Sequence, residues 1–180
     1  MKKVFLSPSS QEFNLYLTDG NEQFYMNKIA DSAQKILVQN GVSVTRNSPD
    51  EDYLKAVERS NSDSFDLHVA IHSNASPPNL KGKMRGPVIF YYPTSLKSAC
   101  AAREAARGFA KIYPDPGLVA VLPSNTLSEL KRTKAPSVYI EVAYHDNEDD
   151  EKWIKQNIDV IAKEIAESVM RYLDSDCRDA

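Results

Sequence analysis

Few side chains in this 180-residue chain combine acid–base or metal-binding chemistry with a position that could use it. There are three histidines, His68, His72 and His145. His72 follows Val69-Ala70-Ile71 and precedes Ser73-Asn74-Ala75, where an apolar strand opens into a polar loop. An imidazole there serves either as a hydrogen-bonded structural group or as a metal ligand. His68 shares a face with His72 but lies four residues earlier, about 13 Å along a strand, so the two cannot bind one ion and His68 reads as structural. Glu141 lies near the end of the apolar run Ser137–Tyr144. Desolvating a carboxylate is costly, so Glu141 is paired with Arg132 or Arg46, metal-bound, or retained as a general base whose pKa burial raises. Glu22 follows Gly20-Asn21 and opens a long helix, where a negative charge is favoured by the helix N-terminus whatever else it does.

The elements that would position these residues alternate in type. Lys2–Leu6 reads as a short buried strand. From Asn21 to Asn40, Met26, Ile29, Ala30, Ala33, Ile36 and Leu37 recur at helical spacing, and Gly41 supplies the left-handed stop. Val42–Thr45 is strand-like. Residues 49–62 form a helix with Tyr53, Leu54 and Val57 inward. Phe65–Ile71 is apolar enough for a strand covered on both faces. Pro87–Tyr92 is another strand, and Ser95–Tyr113 an alanine-rich helix capped by Ser95. A short helix covers Ser124–Lys131, and Ser137–Val142 is the last strand. One final helix over Asp150–Leu173 presents Ile154, Ile158, Ile161, Ile165, Val169 and Leu173 on one face. This order predicts a single-domain α/β sandwich over residues 2–173, with a largely parallel central sheet flanked by helices and a frayed tail at 174–180. Ligands of such folds bind outside the carboxyl ends of the strands, here Ser7–Gln11, Arg46, His72 and Glu141.

Composition narrows the function. Net charge is −3, with 22 Lys+Arg against 25 Asp+Glu, which disfavours nucleic-acid binding. No apolar run is long enough to span a membrane. The positive start Met1-Lys2-Lys3 is followed by only Val4-Phe5-Leu6 before Ser7-Pro8, too short for a secretory signal, so synthesis in the cytoplasm is expected. Cys100 and Cys177 fit no metal or disulfide spacing and read as free thiols.

Several blocks occur in order: Asn21-Glu22, Met26-Asn27 and Ile29-Ala30; Ser60-Asn61; Asp66-Leu67-His68-Val69-Ala70-Ile71-His72-Ser73-Asn74-Ala75; and Thr133-Lys134-Ala135-Pro136-Ser137-Val138-Tyr139-Ile140-Glu141. Together they resemble the zinc-dependent N-acetylmuramoyl-L-alanine amidases, the family of bacterial autolysins, spore-lysis enzymes and phage endolysins. The resemblance implies that Glu22 and His72 bind Zn²⁺ and that Glu141 is the catalytic carboxylate. It implies peptidoglycan as substrate and action on the cell wall, with a monomer as the default state. One place departs from the family. Its first zinc ligand is usually a histidine in an Asp-Pro-Gly-His-Gly-Gly run after the first strand, and here Ser7-Pro8-Ser9-Ser10-Gln11 stands instead. Catalytic zinc normally keeps three protein ligands. Gln11, near the missing histidine, or His145, four residues beyond Glu141, is the candidate third.

With the family's chemistry intact, zinc would polarise the scissile carbonyl and activate water, while Glu141 would move the proton to the leaving L-alanine nitrogen. Asn74, Arg132 and Thr133 are candidate substrate contacts, Asn74 alternatively holding His72. The alternatives are a zinc-deficient relative that binds muropeptide without hydrolysing it, and another metallohydrolase, such as a peptidase, on the same scaffold.

Overall fold

Two strands carrying apolar residues on both faces lie side by side at the centre of the sheet: β3 (Leu67–Asn74) and β6 (Ser137–Tyr144), paired in parallel. Around them, in a computed structural model that describes residues 1–176, come β1 (Lys3–Pro8), α1 (Glu22–Gln39), β2 (Ser43–Arg46) and α2 (Tyr53–Asn61). Then follow β4 (Val88–Tyr91), α3 (Leu96–Ile112), β5 (Ala120–Pro123), α4 (Ser128–Arg132), α5 (Glu148–Gln156) and α6 (Ile158–Leu173). The sheet order is β2-β1-β3-β6-β4-β5. Every neighbouring pair is parallel except β4 with β6, as a largely parallel sheet requires.

Alternation along the strands sorts side chains into two layers. Val4 and Leu6 of β1, Val69 and Ile71 of β3, and Val138, Ile140 and Val142 of β6 join α1, α3 and α6 in the main core. Their neighbours face the other way. Ala70 and Tyr139 pack there with Leu130 of α4 in a smaller cluster. Phe5, Ser7, His68, His72 and Glu141 occupy alternate positions on that second face, which the short helices α2 and α4 cover only in part. The polar side chains of the sheet are therefore collected on its thinner side.

The structure departs from the sequence expectations at several places. The final helix is two helices, broken at Asn157, whose side chain donates to the Trp153 carbonyl (2.8 Å). The edge strand β5, half-exposed and four residues long, was not anticipated. The second helix begins only at Tyr53, after the Asp52 side chain accepts from Leu54 and Lys55, and Tyr53 and Leu54 are 47% and 39% exposed rather than inward. Cys100 is disulfide-bonded rather than a free thiol. The helix α6 runs back along α3 and brings Ser175 Oγ to 3.9 Å from Cys100 Sγ. Residues 177–180, including Cys177 and most of the expected frayed tail, lie outside the described residues. No helix among the described residues is long and apolar enough to cross a membrane.

Asp150 fastens the antiparallel join. Fully buried, it accepts from Gly86 N (2.8 Å), Tyr144 N (3.0 Å) and Tyr113 Oη (2.5 Å), linking the entry to β4 with the exit of β6. Asp150→Ala leaves two backbone donors and a phenol without partners. It should destabilise the protein by about 3–5 kcal/mol, read from the midpoint of equilibrium urea unfolding.

Candidate active site

The site begins with a helix cap. Asn21 accepts from Phe24 N (2.8 Å), and Glu22 N donates to the Asn14 carbonyl (2.9 Å), which fixes how α1 starts. Glu22, 1% exposed, is thereby turned inward toward the end of β3. Its Oε1 lies 2.8 Å from His72 Nδ1 and accepts weakly from Ser73 N (3.4 Å), while Oε2 accepts from Asn14 Nδ2 (2.6 Å). Asn14 Nδ2 also donates to Gln11 Oε1 (3.0 Å), and Gln11 Nε2 lies 3.4 Å from His72 Nδ1. Gln11, Glu22 and His72, far apart in sequence, thus converge on one ring nitrogen.

Tyr139 stacks on the His72 ring at 4.2 Å. Beside it on β6 is Glu141, directly across from His72 in the strand register. The Glu141 Oε2 is buried and has no hydrogen-bond partner. Neither arginine considered as its partner pairs with it: Arg46 binds Asp31 and Asn27, and Arg132 is exposed on the surface. Burial pushes the Glu141 carboxyl up to about 8, with His72 pulling it down and Glu22 adding to the rise. A carboxyl of this kind is suited to taking and returning a proton near neutrality.

Below His72 stands Glu129, which the sequence analysis did not single out. It comes from α4, is 3% exposed, takes the Ser7 hydroxyl at 2.5 Å, and lies 3.8 Å from His72 Nε2 and 3.9 Å from His68 Nε2. The two histidines that cannot share an ion share this carboxylate. Burial opposes charge on His72, but Glu129 and Glu22 together raise its pKa. Burial likewise works against the charge on Glu129 and on Glu22, and the imidazoles overcome it, so both carboxyls are held below their ordinary range. The apolar Leu130 next to Glu129 was the available signal, since a single helical turn carrying one large apolar residue must dock on something.

His145 and the three substrate-contact candidates sit elsewhere. His145 Nδ1 lies 3.0 Å from both Ser73 Oγ and the Ser73 carbonyl, and its ring stacks on Tyr16. Ser73 and His72 are consecutive in a strand and point to opposite faces, so His145 is directed away from the Glu22–His72 pair. Asn74 Oδ1 turns back to Ala75 N (2.9 Å). The Arg132 carbonyl accepts from Asn61 (2.8 Å), and Thr133 Oγ1 is buried without a partner. None of these residues lines the cavity at the site. That cavity, of about 640 Å³, runs from Ser7–Phe13 and His72 past Tyr139 and Thr126–Glu129 to a rim at Asp50, Asp52 and Tyr53.

Among the described residues no three His, Cys, Asp or Glu side chains are arranged to hold a metal; the third place beside Glu22 and His72 belongs to an amide. The donor set still fits a zinc ion. Ligand atoms about 2.0–2.1 Å from a tetrahedral ion lie about 3.4 Å from one another. Gln11 Nε2 is at that spacing from His72 Nδ1, while Glu22 Oε1 at 2.8 Å is closer; presenting the Gln11 oxygen to an ion means turning the amide over and giving up the bond from Asn14 Nδ2 to Oε1. A neutral amide is a weaker ligand than the imidazole it replaces.

A family profile for N-acetylmuramoyl-L-alanine amidase matches residues 15–171, beginning just after Gln11. Solved structures share the fold at low identity. The N-acetylmuramoyl-L-alanine amidase of Clostridium difficile 630 superposes with TM-score 0.84 at 20% identity, covering 97% of this chain and 98% of that one. The catalytic domain of CwlV, an amidase of Bacillus (Paenibacillus) polymyxa, gives 0.83 at 20%, covering 97% and 99%. The CwlD amidase of Clostridioides difficile, solved in complex with the GerS lipoprotein, gives 0.81 at 19%, covering 96% and 98%. No curated protein matches.

The raised pKa of Glu141 has a thermodynamic consequence for the metal-free protein. Its carboxyl binds a proton in the folded state where the unfolded chain has released it, between about 4.5 and 8. Stability therefore falls as pH rises through that window and levels off above it. Glu141→Gln should stabilise the protein at pH 8 by roughly a few kcal/mol, seen as a higher melting temperature, and change it little at pH 4. Thermal unfolding of both proteins across that range checks the sign.

Proposed function

The chain belongs to the N-acetylmuramoyl-L-alanine amidase family, and from that premise we propose that it is a zinc-dependent peptidoglycan hydrolase in which Glu22, His72 and Gln11 hold the metal and Glu141 handles the proton. What supports this reading is the convergence of Gln11 and Glu22 on His72 Nδ1, with a buried, unpartnered carboxylate oxygen of Glu141 on the neighbouring strand. The bond cut joins the lactyl carbonyl of N-acetylmuramic acid to the nitrogen of L-alanine. When bound, zinc supplies Lewis-acid polarisation of the scissile carbonyl and eases the ionisation of a water.

The chain's own residues do the rest. Glu141 takes a proton from the attacking water and delivers it to the departing L-alanine nitrogen, which would otherwise leave as an unstable anion. Its raised pKa suits both halves of that task, since a carboxyl that returns a proton must not hold it too weakly. Tyr139 stacks on the His72 ring, and Asn14 holds the second oxygen of Glu22. The cavity along Ser7–Phe13 and Thr126–Glu129 receives the substrate strand. The cluster is complete within one chain, so the reading is of a monomer working at the cell wall. Muropeptide binding without hydrolysis is not favoured, because the family is one of hydrolases.

Two outcomes test this. Glu141→Ala should lower the release of free L-alanine amino termini from purified peptidoglycan by about 10²–10⁴-fold, and chelation should abolish it with recovery on adding zinc. Gln11→His should tighten zinc binding, and Gln11→Ala loosen it, in competition with a chromogenic chelator. Full hydrolysis in the chelated protein would refute metal dependence, and identical zinc affinity in both Gln11 variants would remove Gln11 from the ligand set.

A further inference from the structure

Glu129 is buried beside the site, yet the reaction described above does not use it. It is second in α4, where Leu130 packs against Ala70 and Tyr139, so the docking that buries the leucine also presses the carboxylate onto the sheet. There its Oε1 is held by the Ser7 hydroxyl at 2.5 Å, with His68 Nε2 at 3.9 Å. His68 is itself immobilised: Nδ1 is 2.9 Å from Ser60 Oγ and the ring stacks on Phe5. The second oxygen, Oε2, has no hydrogen-bond partner and faces His72 Nε2 at 3.8 Å. The two nitrogens of His72 therefore face two different carboxylates, Nδ1 facing Glu22 and Nε2 facing Glu129.

An imidazole that offers one nitrogen to a cation is oriented by whatever its other nitrogen donates to, and a carboxylate in that role fixes the tautomer and strengthens the ligand. We propose that Glu129 is the positioning residue for His72, keeping the proton on Nε2 so that Nδ1 is free for the metal. The proposal rests on the reading of His72 as a zinc ligand. At 3.8 Å this contact is an ion-pair distance rather than a hydrogen bond, and a buried carboxylate oxygen with no hydrogen-bond partner has Nε2–H as the donor facing it. The Ser7 bond explains why Glu129 does not turn away to find another partner. The same arrangement gives a reason for a one-turn helix to carry an acid into a largely apolar contact.

The test compares Glu129→Gln, Glu129→Leu and His72→Ala with the parent protein. Zinc dissociation constants come from chelator competition, and ring ¹⁵N chemical shifts of histidine-labelled protein are recorded with and without zinc. Zinc binding should weaken about tenfold in Glu129→Gln and up to about a hundredfold in Glu129→Leu. The His72 shifts should report Nε2–H in the zinc-loaded parent and a changed tautomer balance in the metal-free Glu129→Leu protein. If that variant fails to fold, the isosteric glutamine variant carries both measurements. Parental affinity and parental His72 shifts in the Glu129 variants, with binding lost in His72→Ala, would overturn the positioning role alone. Parental affinity in His72→Ala would instead overturn the ligand reading, and the positioning role with it.

Discussion

A carboxylate at the head of α1 and an imidazole near the end of β3 meet 2.8 Å apart in a place nearly closed to water. Neither group would be tolerated there alone, because a lone buried charge costs several kcal/mol. Their meeting constrains much else. The cap at Asn21 must start the helix at the right residue, and Asn14 must satisfy the second Glu22 oxygen. Tyr139 must cover the imidazole, and Glu129 must face its far nitrogen. The thin face of the sheet is thus organised around one ring, while the thick face supplies the apolar core that holds the strands.

The topology explains why the ring stands where it does. With β1, β3 and β6 adjacent and parallel, their carboxyl ends open on the same side, and the loops after β1 and β3 meet the start of α1 there. The long loop between β1 and α1 is where this chain departs from its family. An amide at Gln11 stands in the region of the usual imidazole, and Asn14 bridges Gln11 to Glu22.

Much of this was legible in the sequence, for physical reasons. β3 and β6 announced themselves because both faces are buried and both begin as largely apolar runs. The length and stop of α1 followed from its helical spacing and from Gly41, whose φ of +79° is the left-handed conformation such a stop needs. Glu22, His72 and Glu141 stood out because each sits at an element boundary within a family-like block. Glu129 did not, since its burial depends on how a five-residue helix docks and no periodicity extends over so short a stretch. β5 was hidden because an edge strand of four half-exposed residues carries little alternation. The break at Asn157 has no glycine or proline to mark it, and the apolar stripe continues across it. The inward reading of Tyr53 and Leu54 failed because α2 covers the sheet only in part, leaving that end of the helix at the cavity rim. His145 looked available from its position four residues beyond Glu141, but the extra residue that β6 inserts between Glu141 and Tyr144 reverses the alternation and commits it to Ser73 on the opposite face.

The central claim is that Gln11, Glu22 and His72 form one cation site. Anomalous diffraction collected on both sides of the zinc absorption edge, from crystals grown with zinc, tests it most directly. The account predicts a difference peak bonded to His72 Nδ1 and Glu22, with the Gln11 amide oxygen as the third protein donor. Zinc absent from that position, or bound there with Gln11 turned away and His145 in its place, would contradict it.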